Sequence, residues 1–402
     1  VRGEAAIEPG GLAGLRLVTL VCLAVCPVGW LLFWAVFHAV PGQDWVVFHT
    51  AAARFFAGDL AMLGDPRAFT DELNRSHAAW FARPIAVLHP FIYPPVTLLL
   101  ALAFGWLPYL ASLIVFLGVT LGMLVAALWQ WQARAEERRL LLLGVLLCPA
   151  TAYIIGSGQL DFLMAACVLA AMALLPRRPF AAGLVFSLLC LKPQLVPLVP
   201  VALIGGRHWR AVAGGLAGGL GLIGVSALVI GVPQWVAWVR LASGANPLLG
   251  SMIDVVRKYD QSVHTCLVTL GAGDAWAGAG QVLAMAASAV CIWLAFARPA
   301  TQRQRLIVLL CGLVFGAPHV GDYDEIMPAI AAVLTLIDGR TRALRAGEAG
   351  LAGAVWAATA FNPPALIGAL GERWLTDLAA LTPLLVLGLM LRSLPSARHH
   401  AG

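Results

Sequence analysis

The sequence predicts an all-α polytopic membrane protein, on three observations. Hydrophobic residues make up 61% of the 402-residue chain and charged residues 11%, against about 25% charged in a soluble domain. The apolar stretches are continuous rather than alternating, which excludes a transmembrane barrel. The arginines gather in alternate loops, the pattern of a chain that crosses a bilayer repeatedly. No soluble domain is appended and no repeat of fixed period occurs, so residues 1–402 read as one membrane domain.

Taken in order, the expected spans are 17–39, 109–131, 140–155, 162–175, 180–191, 195–206, 211–231, 277–297, 305–317, 325–337, 349–361 and 376–392, about twelve. The first carries no Asp, Glu, Lys or Arg over about 35 Å of helix at 1.5 Å per residue. It is too long for a cleaved signal and lacks a small-residue cleavage site before Pro41, so it reads as an uncleaved span. Residues 94–107 have the length of an interfacial or re-entrant helix. Keeping them uncrossed puts 17 of the 26 basic residues and 6 of the 20 acids on the side of the termini, net +11 against −5. That side is then cytoplasmic, with both termini on it, and the membrane is the cytoplasmic (inner) one. Two long outer loops follow, 41–108 and 232–276, with interfacial helices in the first.

The eight cysteines lie in or beside apolar runs and form no C-x-x-C pair, so they read as small buried hydrophobes. No Walker, H-E-x-x-H or G-x-S-x-G motif supports ATP-driven transport, metalloprotease or serine-hydrolase chemistry. Nothing points to nucleic acid.

The polar residues that call for explanation fall on the outer side. Asp44 follows the Pro41-Gly42 break, where a carboxylate is costly unless solvated, paired or used. Behind it an amphipathic run, Trp45, Phe48, His49, Ala52, Arg54 and Phe55, would lie along the interface and turn the acid into the protein. Pro94-Pro95 start a helix, and Tyr93 before them would point its hydroxyl into the outer cavity. Gly158-Gln159 and Asp161 end two spans, and Lys192-Pro193-Gln194 end two more. Lys192 is one of two lysines in the chain; at membrane depth it either snorkels or finds an anion or a carboxylate. Arg257-Lys258 with Gln261-Ser262-Val263-His264 could hold a phosphate in the second loop, or be solvated. The turn at 318–325 carries His319, Asp322, Tyr323, Asp324 and Glu325 without recognisable metal-ligand spacing, so no metal is expected.

An Asp after the first span, Tyr-Pro-Pro, Gly-Gln, Lys-x-Gln, Gln-Ser-Val-His and Pro-His-x-x-x-Tyr-Asp occur in this order over about residues 40–335. The chain thereby resembles glycosyltransferase family 87, the polyprenyl-phosphate-mannose-dependent mannosyltransferases of the GT-C superfamily. The resemblance implies a GT-C-type bundle, a polyprenyl-phosphate-linked sugar as donor substrate, no cofactor, inverting transfer, and a lipid or glycan acceptor at the outer face. Asp44 matches the position of the catalytic base, which takes the proton of the attacking hydroxyl. Lys192, Arg257 and His319 are then expected at the donor phosphate, whose charge grows as it leaves. His49, Tyr93, Gln159, Gln194, Gln261, His264, Tyr323 and Asp324 are expected around the substrates. The rival readings are a secondary transporter or flippase, which would need its polar residues at the bilayer midplane, another lipid-linked polymer ligase, and a non-catalytic assembly factor.

Overall fold

The computed structural model describes residues 42–80, 85, 88–132, 134–243, 260–339, 344, 346–359 and 380–395. The expected first span, Arg257 and the 362–375 turn lie outside them. In chain order the helices are α1 (Trp45–Phe56), α2 (Pro66–Ser76), α3 (Pro95–Leu102), α4 (Tyr109–Trp129), α5 (Ala135–Leu146), α6 (Pro149–Ser157), α7 (Asp161–Leu174), α8 (Pro179–Ser187), α9 (Leu198–Gly205), α10 (Trp209–Val229), α11 (Val232–Ala242), α12 (Val263–Thr269), α13 (Asp274–Ala297), α14 (Gln302–Phe315), α15 (Ile326–Asp338), α16 (Glu348–Ala358) and α17 (Thr382–Arg392). Short 3₁₀ turns lie at Ala61–Gly64, Leu188–Leu191 and Pro193–Leu195. Among the described residues there is no strand.

Three helices, α4, α10 and α13, are long and apolar enough to cross a bilayer. The stretch expected as a single span over 140–155 is instead a broken pair: α5 and α6 meet at 53°. Pro149 explains the break, because it offers no N–H to α5 and its ring cannot follow a helical carbonyl one turn earlier. α7 has 14 residues, about 21 Å of helix, short of a 30 Å hydrocarbon core. Twelve full-length spans are therefore not seen among the described residues; three are, or four counting the bent pair. The second outer loop, expected as loop alone, contains α11 and α12.

Burial sorts the helices. α14 after its first turn and α15 are apolar and buried nearly all round, as is α7 after its first residue, which makes these three the centre of the bundle. α4, α10 and α13 expose apolar rows instead: Ile114 and Val119, Leu216 and Leu228, Val282 and Leu283. A helix that long and that apolar has its exposed face against lipid. α1, expected along the interface, is buried over Trp45–Phe48 and Thr50–Ala52 and packs on α3 and α4.

α8 and α10 form the tightest crossing. A Cβ on Gly183 would sit 2.0 Å from the Ala211 carbonyl oxygen, and one on Gly214 would sit 2.1 Å from the Phe180 oxygen. Lipid offers no hydrophobic drive between helices, so close backbone approach over small residues is what holds them together. Gly214→Val should force the pair apart, lower the melting temperature in detergent, and cost about 1–3 kcal/mol or more. Gly221→Ala, where a Cβ would meet nothing within 4 Å, should be neutral or slightly stabilising in the same melt.

Candidate functional site

Asp44 precedes α1 in helical conformation, and its carboxylate makes no capping bond to that helix. Its backbone is pinned instead. Gly42 N–H donates to the Gly156 carbonyl at 2.7 Å and Asp44 N–H to that of Ser157 at 2.8 Å. Trp45 locks the next position, stacked on Phe116 at 4.0 Å with its indole N–H on Ser112 Oγ at 3.0 Å. Gly158, with φ of +73°, closes α6; a Cβ there would lie 2.6 Å from that of Trp45, so only glycine fits.

The carboxylate is thereby presented to a polar row. The buried amide of Gln159 donates to Asp44 Oδ2 at 2.9 Å and to the Tyr93 hydroxyl at 2.9 Å. His89 Nε2 lies 4.0 Å from Asp44 Oδ1. Asp44 keeps 27% of its side chain exposed, so a substrate can reach it. Burial, and then the charge of Asp44, push the Tyr93 phenol up. It stays protonated, and since its oxygen already accepts from Gln159 its own O–H is free to donate.

Lys192 sits in a turn between two short 3₁₀ segments and is 1% exposed. Its Nζ contacts Asp161 Oδ1 at 2.9 Å, Asp161 Oδ2 at 2.7 Å and Asp324 Oδ1 at 2.9 Å. Three N–H bonds meet three carboxylate oxygens. The ammonium also lies 4.3 Å above the centre of the Tyr323 ring. Asp324 Oδ2 accepts from Gly321 N–H at 2.8 Å and so holds its own turn.

His319 and Asp260 make the third group, 3.4 Å apart. Asp260 also accepts from the N–H groups of Ser262 and Val320 and the hydroxyls of Ser262 and Thr265, at 2.8 to 3.0 Å. Burial opposes the charge of Asp260, but His319 and these donors bring the group down to about 2. Burial likewise opposes the imidazolium of His319, and Asp260 outweighs it, so His319 is raised. Gln261 joins this turn through its N–H to the Val320 carbonyl at 2.7 Å. Asp322, raised by burial and then by Glu325, Asp324, Asp260 and Asp44, stands within electrostatic reach of all three groups.

The other expected residues divide. His264 caps the cluster's edge, 3.3 Å from Asp274, with its N–H on Gln281. Gln194 is half-buried in its turn. Both ring nitrogens of His49 are engaged within the protein, on His77 and on the Leu107 carbonyl, each at 3.0 Å. His89, Asp260 and Asp322 were not singled out as site residues from sequence. The signal for Asp260 was its place beside Gln261 and Ser262, and for His89 its place four residues before Tyr93. Among the described residues no three His, Cys, Asp or Glu side chains converge as metal ligands.

A helical membrane protein that gathers an accessible carboxylate, a protonated phenol and an imidazole is equipped for acid–base chemistry on a polar substrate. The model of glycosyltransferase family 87 matches residues 91–318, more than half of the sequence. The chain belongs to that family and is a glycosyltransferase. No curated protein and no solved structure matches it. Tyr93, Gln159, Asp161, Lys192 and Asp260 lie inside the matched segment; Asp44 and His319 lie outside it.

Two outcomes follow. Lys192→Met would leave Asp161 and Asp324 buried without their cation, and should cost about 3–5 kcal/mol of stability, read as a lowered melting temperature. Burial, and then His49, push His77 down to about 4. The unfolded chain therefore takes up a proton near pH 6.5 that the folded one refuses, so stability present above that pH is lost progressively toward pH 4, by up to about 3 kcal/mol. His77→Gln should flatten that part of the pH–stability curve.

Proposed function

We propose that the chain transfers a sugar, mannose first among the candidates, from a polyprenyl-phosphate donor to a lipid or glycan hydroxyl. Asp44 is the general base. The observation that carries this reading is the row Asp44–Gln159–Tyr93 at 2.9 Å spacing, with the carboxylate open to substrate. Gln159 fixes Asp44 Oδ2, leaving Oδ1 to take the proton from the acceptor hydroxyl as it attacks the anomeric carbon. The Tyr93 O–H is placed to hydrogen-bond a sugar hydroxyl.

The leaving phosphate needs a cation. Lys192 is spent on carboxylates, so in this proposal it acts from behind, keeping Tyr323 and the 321–324 turn in place. The phosphate contact passes to His319, whose charged form Asp260 favours and which is 36% exposed, together with Arg257. A narrow apolar crevice runs from Tyr93 past Phe91, Leu98, Ile230, Trp238 and Leu241. In this proposal the crevice marks where the prenyl chain enters. On the same proposal the donor side faces outward from the cytoplasmic membrane, opposite the arginine-rich loops. No cofactor takes part.

The test is transfer of label from radiolabelled polyprenyl-phosphate-mannose to a membrane-lipid extract by the full chain in lipid. Asp44→Asn should lower the rate about 10²–10⁴-fold with the melting temperature unchanged. Retained activity in a folded Asp44→Asn protein would remove Asp44 from the role of base. Transfer from another sugar phosphate and not from the mannose donor would keep the enzyme class and change the sugar.

A further inference from the structure

A second polar site lies at the far end of α4. Tyr109, at the start of that helix, reaches the Gly42 carbonyl beside Asp44 at 2.9 Å. Twenty-one residues on, about 30 Å along the axis at 1.5 Å per residue, the helix ends in an open cavity of about 690 Å³. It is lined by Trp129, Gln132, Arg134, Glu137, Arg138 and Arg303, with Trp131 beside them. Nothing in the transferase reading uses it.

Three cations face one carboxylate in this lining. Arg303 is neutralised from behind by Asp338 and bonds Gln132 Oε1 at 3.0 Å. Arg134 is 3.4 Å from Glu137 and 72% exposed. Arg138 has no carboxylate partner among the described residues; it stacks on Trp129 at 4.2 Å and bonds the Gln132 carbonyl. Gln132 itself is 2% exposed. Because its Oε1 must serve Arg303, its Nε2 is the end left over, and that donor has no acceptor among the described residues. A buried donor without a partner beside unpaired arginine calls for an anionic oxygen.

The depth selects the anion. The cavity opens where a membrane-length apolar helix ends, between two tryptophans, and Trp at such a boundary sits at headgroup level. We propose that this cavity binds the phosphodiester headgroup of an anionic phospholipid, with Arg138, Arg134 and the Gln132 amide as its donors. Basic pockets between helices at this depth take such headgroups.

The experiment is native mass spectrometry of the detergent-solubilised full chain, titrated with phosphatidylglycerol, with phosphatidylcholine and with inorganic phosphate. Phosphatidylglycerol should bind in preference to phosphatidylcholine, and inorganic phosphate should not displace it. Arg134→Gln and Arg138→Gln should each weaken phosphatidylglycerol binding about fivefold. Glu137→Gln, which removes the one carboxylate from the lining, should tighten it by a similar factor, a gain that misfolding cannot produce. Equal retention of the two lipids, or no tightening in Glu137→Gln, overturns the proposal. Displacement of phosphatidylglycerol by millimolar phosphate overturns the lipid as source in favour of a soluble anion.

Discussion

The fold turns on a charge that cannot reach water. Lys192 is buried with Asp161 on one side and Asp324 on the other, and the three come from distant parts of the chain. An unpaired ammonium at that depth would be prohibitive, and so would two carboxylates without it. The start of α7, the turn after α8 and the turn before α15 are therefore bound to one another by electroneutrality rather than by apolar packing, which in a bilayer carries little orientational information. Helices that could otherwise slide are held in register at the end where the polar residues lie.

That register is what the transferase chemistry inherits. Tyr323 lies under the ammonium, and its phenol is raised by burial and then by Tyr93 and Asp44, so it stands within electrostatic reach of both clusters. The 318–324 turn, fixed through Asp324 and Gly321, also carries His319 and receives Asp260 from the second loop. One buried ion cluster thus lies against the Tyr323 ring and holds the turn that carries His319, the cation proposed for the phosphate.

Much of this was legible from composition and from the order of motifs. The absence of charge over long runs announces helices in lipid, and the proline after an apolar run announces a start. Lys192 stood out because lysine is so rare here, and a partner carboxylate was one of its expected fates. What the sequence could not supply was which carboxylate, since Asp161 and Asp324 are 31 and 132 residues away and pairing at that distance leaves no periodic trace. The break between α5 and α6 was missed because hydropathy runs straight through Pro149 while the backbone does not. The amphipathic look of α1 suggested a surface; its aromatic face is instead consumed by α3 and α4. The partners of His49, His77 and the Leu107 carbonyl, could not be read either, because only the folding of the first loop brings them to it.

The anchoring of Asp44 has a consequence for precision. Its backbone hangs on the Ser157 carbonyl, and the amide that orients its carboxylate belongs to Gln159, two residues further along the same strand of chain. Asp44, the proposed base, and its orienting group are therefore both tied to the 157–159 segment. Movement of that segment would carry the carboxylate and the amide that holds it together, because the two contacts lie two residues apart across the Gly158 turn. What is kept constant in this way is the aim of the carboxylate, on which delivery of Oδ1 to a substrate hydroxyl would depend.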